Sequence, residues 1–168
     1  MAGVVKVNNW QKERVVTRSL SITRPANTTQ YAVDDVLANA TVNDLVLTNV
    51  AGTDYSGTIL DMVAISDAVP ATTLQGEVWL FDKPVAQVAD NAAFALSDAH
   101  ATTLVSVIPF TLLAQASNSL AVISGINVGY NCITQDLYAL IKVKNAYTPV
   151  SGEIVTFRFK IKQMTGGA

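Results

Sequence analysis

The sequence has one histidine, His100, in Leu96-Ser97-Asp98-Ala99-His100-Ala101, with a hydroxyl and a carboxylate beside it. A serine nucleophile needs a base within hydrogen-bond reach, a group that orients the base, and an oxyanion hole. No G-x-S-x-G elbow supplies these, so this stretch is expected to be a solvated polar turn. The carboxylates are nearly all aspartates, with glutamate only at Glu13, Glu77 and Glu153. Two carboxyls at the right separation hydrolyse glycosides, but nothing in the spacing selects a pair, and Asp34 and Asp35 would point to opposite faces of a strand. Asp82, Asp90, Asn91 and Asp98 could offer oxygen ligands to a structural Ca²⁺, yet they lack the D-x-D-x-D-G spacing of a preformed loop. Cys132, the one cysteine, has no cation next to it in sequence and reads as a small buried hydrophobe. One Cys and one His exclude an internal disulfide and Cys₄ or Cys₂His₂ zinc cages. No phosphate-cradling glycine loop occurs. The residues therefore assign no catalytic group, no metal and no cofactor, and the chain reads as a non-enzyme.

The elements around these residues follow from periodicity. At 168 residues the chain has room for one domain. It is 50% hydrophobic and only 14% charged, the reverse of a disordered composition. Alternation is strict in Thr156-Phe157-Arg158-Phe159-Lys160-Ile161-Lys162, with apolar groups on one strand face and cations on the other. Ile141-Lys142-Val143-Lys144 repeats it, although extending that strand back to Leu137 points Tyr138 and Leu140 outward. Further strands are predicted at 15–22, 44–50, 58–66, 76–82, 104–110 and 120–124, with loops at 49–54 and 147–152. The runs 58–65 and 78–81 are apolar at both parities and predict strands buried on both faces, either between two sheets or under another subunit. Helical signals are confined to 90–96, with Asp90 as N-cap, and 111–117; the first reads better as a short strand. The expected fold is all-β, a single-domain antiparallel β-sandwich or jelly roll over 15–163, with an extended arm at 1–14 and a tail at 164–168.

Charge is unevenly distributed. Residues 1–30 carry five basic groups and one acid, residues 137–168 again five and one, and the stretch between holds eleven acids and a single lysine, Lys83. Arg158, Lys160 and Lys162 form one basic row and Lys142 and Lys144 another; if their strands pair, the rows merge into a patch. Phe157 and Phe159 face inward, so that patch lacks aromatics for base stacking, and no nucleic-acid partner is expected. No apolar run is long enough to span a membrane, and residues 1–18 hold no secretory h-region. The expected setting is a soluble protein made and used without export, with Asn27-Thr28-Thr29 and Asn39-Ala40-Thr41 as chance sequons.

Several segments resemble a group of tailed-bacteriophage virion proteins. They are Ser21-Ile22-Thr23-Arg24-Pro25-Ala26-Asn27-Thr28-Thr29-Gln30-Tyr31 followed by Asp34-Asp35-Val36; Val78-Trp79-Leu80-Phe81-Asp82-Lys83-Pro84; Asp90 to Asp98; and Tyr147-Thr148-Pro149 with the final alternating strand. They occur in matching order from about Val16 to Gln163. A glycine usually precedes the Asp-Val pair in this group, whereas Asp34 stands there in this chain, which puts the turn geometry in question. The resemblance implies a virion structural role, a capsid decoration or cement protein that binds the major capsid protein at the shell surface, and brings no catalytic residues. On that reading Lys12, Arg14, Arg18 and Arg24 are the expected shell contacts, and a homo-oligomer is expected, a trimer by the three-fold symmetry of shells. The alternatives are a tail, neck or fibre component and a host-glycan-binding module, for which Trp79, Tyr55, Tyr130 and Tyr138 are the aromatic candidates.

Overall fold

The final alternating segment becomes β11 (Ile154–Thr165), and the chain's first strand, β1 (Lys12–Thr23), pairs antiparallel with it along its whole length, from Lys12 opposite Thr165 to Thr23 opposite Ile154. The computed structural model describes residues 12–165. β11 pairs on its other side with β4 (Ser56–Ser66). β4 in turn pairs with β9 (Val128–Asn131) through its first half and with β8 (Ser119–Ile123) through its second. β7 (Leu113–Ala114) closes that side as a six-stranded sheet. The second sheet has five strands: β2 (Val36–Leu37) and β3 (Leu45–Leu47) on one edge of β10 (Leu137–Val143), then β5 (Gln75–Phe81) and β6 (Leu104–Thr111). All pairings are antiparallel, so the chain is an all-β sandwich. β1 begins inside the expected 1–14 arm and β11 runs into the expected 164–168 tail.

The core lies between the sheets. Leu20, Ile22, Met62, Ala64, Phe157, Phe159 and Ile161 face Leu45, Leu47, Val78, Leu80, Ala139, Ile141 and Val143, all 5% exposed or less. Phe110 of β6 meets Phe157 of β11 edge-to-face at 5.1 Å. Each Val, Leu, Ile, Met or Phe side chain among them contributes about 1.5–3 kcal/mol by leaving water.

The expected double burial of 58–65 is corrected. The β4–β11 register shifts between Lys160 and Ile161, which leaves Leu60 as the extra residue of a bulge. Gly57 and Ile59 face inward before the bulge, and Met62, Ala64 and Ser66 after it. One strand thus appears apolar at both parities because its phase changes midway. Its outward residues, including Leu60, Val63 and Ile65, are half-buried.

The 78–81 run has a different cause. Phe81 and Leu140 do point to the outer side of the five-stranded sheet, and there the chain covers them itself. Val85, Phe94 and Leu96 from the 82–97 loop pack on Trp79, Phe81, Tyr138 and Leu140 as a second small cluster. The Trp79 and Phe94 rings lie 5.0 Å apart. This also accounts for the outward Tyr138 and Leu140.

Both helical candidates are absent: 90–96 is neither helix nor the expected short strand but loop with an isolated Ala93–Asp35 bridge, and 111–117 contains the end of β6, β7 and a bend. The helical turn is instead α1 (Asp98–Ala101), capped by Ser97. The two basic rows belong to different sheets, β10 and β11, and do not merge. Lys142 and Lys144 both bind Asp34, at 2.9 and 3.1 Å.

Candidate interaction surface

The segments that carry the resemblance converge on a buried polar cluster. Arg24 is 2% exposed. Its Nε donates to the Tyr31 hydroxyl, and its Nη2 lies 3.3 Å from Asp90 Oδ2. Tyr31 donates to Asp90 Oδ1 at 2.6 Å, and the Ala38 N–H donates to the same oxygen at 3.0 Å. Tyr31 stacks on Tyr147, which with Ser66 donates to the buried carboxylate of Glu153. Burial first, and then the adjoining carboxylates, hold both tyrosine hydroxyls far above their ordinary pKa. Arg24 is therefore corrected from a shell contact to a structural group: its charge is spent inside the domain on Asp90. The same contact removes Asp90 from the calcium set. Asp98 is exposed on α1, and no group of three or more metal-ligating side chains forms among the described residues.

Asp34 occupies the expected glycine position with φ of 70°, the left-handed conformation that glycine adopts without strain. The turn geometry is thus that of a glycine turn. Lys142 and then Lys144 hold the Asp34 carboxyl below its ordinary pKa. Backbone bonds from Phe94 to Asp34 and from Val36 to Ala92 tie this turn to the loop that roofs the five-stranded sheet.

His100 Nδ1 lies 3.1 Å from Ser97 Oγ, but that hydroxyl also accepts the His100 N–H as the cap of α1. No carboxylate orients the ring from behind among the described residues. The aromatic candidates are dispersed. Tyr130 is buried with its hydroxyl on the Val50 carbonyl at 2.7 Å, Trp79 and Tyr138 lie under the loop, and Tyr55 alone is exposed, at 49%. Cys132 is buried; burial and then Asp82 and Asp136 push its thiol up to about 12.

The two outer faces differ. The five-stranded sheet is roofed by the 82–97 loop, whereas no described segment covers the six-stranded sheet. Across the latter, register puts Arg158, Val63 and Val122 side by side, and in the next row Thr156, Ile65, Leu120 and Leu113. Val122 is 63% exposed and Leu113 59%, a contiguous apolar strip and not isolated residues. Beside it, a groove of about 330 Å³ is lined by Val15, Thr17, Asp61, Val63, Arg158 and Lys160, among others. Lys160 lies 3.8 Å from Asp61 and Lys162 3.0 Å from Glu13, while Arg158 has no carboxylate partner among the described residues. Sequence reasoning did not assemble this strip. Part of its signal, the double-parity run 58–65, was read as burial between two sheets or under another subunit, and its continuation through Leu120 and Val122 was not seen.

Of the expected contacts, Arg14 is exposed on β1. Arg18 is half-buried and donates to the carbonyls of Asn49 and Thr17. The Lys12 side chain lies outside the described residues.

No protein-family model and no curated protein matches the chain. Among solved structures, a chain of Desmodium yellow mottle tymovirus is similar at 7% identity over all of this chain and 90% of its own, with a TM-score of 0.32. A chain of turnip yellow mosaic virus is similar at 11% identity over 99% and 89%, with a TM-score of 0.32.

Proposed function

We propose that the chain is a virion structural protein that decorates a capsid shell and cements it, binding across major capsid protein subunits through the outer face of its six-stranded sheet. The observation that carries this reading is the asymmetry of the two outer faces among the described residues: the 82–97 loop roofs one, and no described segment covers the other, which is apolar at its centre and cationic beside it. Apolar surface with a polar rim is the anatomy of a protein interface. The sequence resemblance to phage virion proteins supports the shell as partner. A cement protein acts by binding the assembled state only. At a free concentration a hundred times Kd it adds about 2.7 kcal/mol per site, and the many sites of a shell multiply that.

The reading includes a trimer, because three-fold positions of a shell match that symmetry; a monomer mass in sedimentation equilibrium far above assembly concentrations counts against it. Copy number in purified virions, by quantitative mass spectrometry against the major shell protein, tests the placement. A ratio set by the lattice symmetry supports cementing. A handful of copies per particle transfers the protein to the tail, neck or a fibre, and absence from the particle removes the virion role.

A further inference from the structure

We infer that the free edge of β1 is a strand-addition site for an extended acidic segment of the partner, a mode that rests on the shell-binding reading and names the partner's chemistry. β1 is an edge strand twelve residues long, paired among the described residues only with β11. Successive residues of a strand send their N–H and C=O to alternate sides. Thr23 shows which residues face outward: its N–H donates to Asn39 Oδ1 at 2.8 Å and its carbonyl accepts from the Ala40 N–H at 2.9 Å, both away from β11. By the same parity Val15, Thr17, Ser19 and Ser21 present their backbone groups to the open edge. Thr17 confirms it, since its carbonyl accepts from Arg18 Nη1 at 3.1 Å. The backbone groups of Val15, Ser19 and Ser21 have no partner among the described residues. The side chains of these residues are exposed on the outer face of the sheet. The described stretch 39–49 borders the edge at Thr23 and at Arg18, whose Nε donates to the Asn49 carbonyl at 3.0 Å, and leaves the backbone groups of Val15, Ser19 and Ser21 unpaired among the described residues.

Charge selects the occupant. Arg14 and Arg18 flank the edge, and the acid on it, Glu13, is held by Lys162 at 3.0 Å. A second copy is disfavoured: the antiparallel register that sets Val15 opposite Ser21 of another chain places Arg18 against Arg18, and like charges directly opposite are destabilising. An extended segment with carboxylates at alternate positions meets the arginines and supplies the missing backbone partners, as in other β-augmentation.

The test is backbone amide exchange on the full chain, followed by NMR. In the free protein the amides of Val15, Thr17, Ser19 and Ser21 exchange quickly and those of Val16, Arg18 and Leu20 slowly. A ten-residue peptide of alternating Glu and Val slows the first set at least ten-fold, and its Lys-Val counterpart does not. Ser19→Pro removes one outward N–H and no bond to β11, which edge strands tolerate, and it abolishes the peptide's effect while the Val16 and Leu20 amides stay protected. Unchanged exchange at millimolar peptide overturns the proposal, as does equal protection by the lysine peptide. Slow exchange of the outward amides before any peptide is added also overturns it, since the edge is then already covered by this chain or a second copy. None of these outcomes alters the virion copy number, so the shell reading stands or falls separately.

Discussion

Removing the Asp90 carboxylate is expected to cost far more stability than removing the arginine it binds. The Arg24 and Asp90 side chains are 0% and 7% exposed, with 3.3 Å between them. In Asp90→Ala the guanidinium stays buried without a counter-charge, and the Tyr31 hydroxyl and Ala38 N–H lose their acceptor as well. Breaking a buried pair from one side in this way costs about 3–5 kcal/mol. In Arg24→Met the carboxylate keeps both of those donors and the methionine fills most of the arginine's volume, so the cost is about 1–3 kcal/mol. The double variant costs about as much as Arg24→Met with the orphaned tyrosine added, and less than the sum of the single changes, because the uncompensated charge is gone. Urea unfolding gives all three values. In a domain of this size the Asp90→Ala loss corresponds to a fall in Tm of roughly 6–20 °C. If Asp90→Ala lies within about 1 kcal/mol of wild type, or Arg24→Met is the costlier of the two, the account of a buried charge held by one carboxylate is wrong.

Other consequences concern the loops and the thiol. Asp34 has its carboxyl pKa lowered by Lys142 and Lys144, so it contributes stability that is present above the unfolded value near 3.9 and lost as pH falls through the lower folded value. Asp34→Asn flattens that acid limb, read from unfolding midpoints between about pH 2 and 5. Asp34→Gly loses the same ion pairs but relieves the left-handed backbone, and its unfolding midpoint at pH 7 stays closer to wild type than that of Asp34→Asn. Cys132, its thiol pushed up to about 12, is almost wholly protonated at pH 8; iodoacetamide labels it only after denaturation, and labelling of the native protein at the rate of a free thiol contradicts its burial. A Cβ at Gly52 would sit 2.1 Å from the Met164 carbonyl oxygen, so Gly52→Ala displaces the end of β11 and costs about 1–3 kcal/mol in thermal unfolding.

The strands were legible where alternation was strict. Residues 15–22 and 156–162 follow a period of two because one face meets the opposite sheet and the other meets water. The short strands β2, β7 and β9 carry two to four residues each and give no periodic signal. The two doubly apolar runs had separate causes: a bulge at Leu60 shifts the phase of 58–65, whereas 78–81 is buried on both faces as expected, under the chain's own loop. Neither is visible without the partner strands. Arg24 illustrates the limit for sites: a charge near the start of the chain reads as surface until its partners at positions 31 and 90 are brought to it by tertiary structure. The outer-face strip was present as apolar letters, but only register showed that Val63, Val122, Ile65, Leu120 and Leu113 are neighbours.

The central claim is that the bare face of the six-stranded sheet meets the shell. Its most direct test is saturation binding of purified protein to shells stripped of it, comparing wild type with Val122→Asp and, as control, Ile133→Asp, an equally exposed position (62% against 63%) in the loop after β9 and outside the strip. The account predicts that Val122→Asp binds at least ten-fold more weakly, with an unchanged unfolding midpoint, while Ile133→Asp binds as wild type. Wild-type affinity and occupancy for Val122→Asp would contradict it.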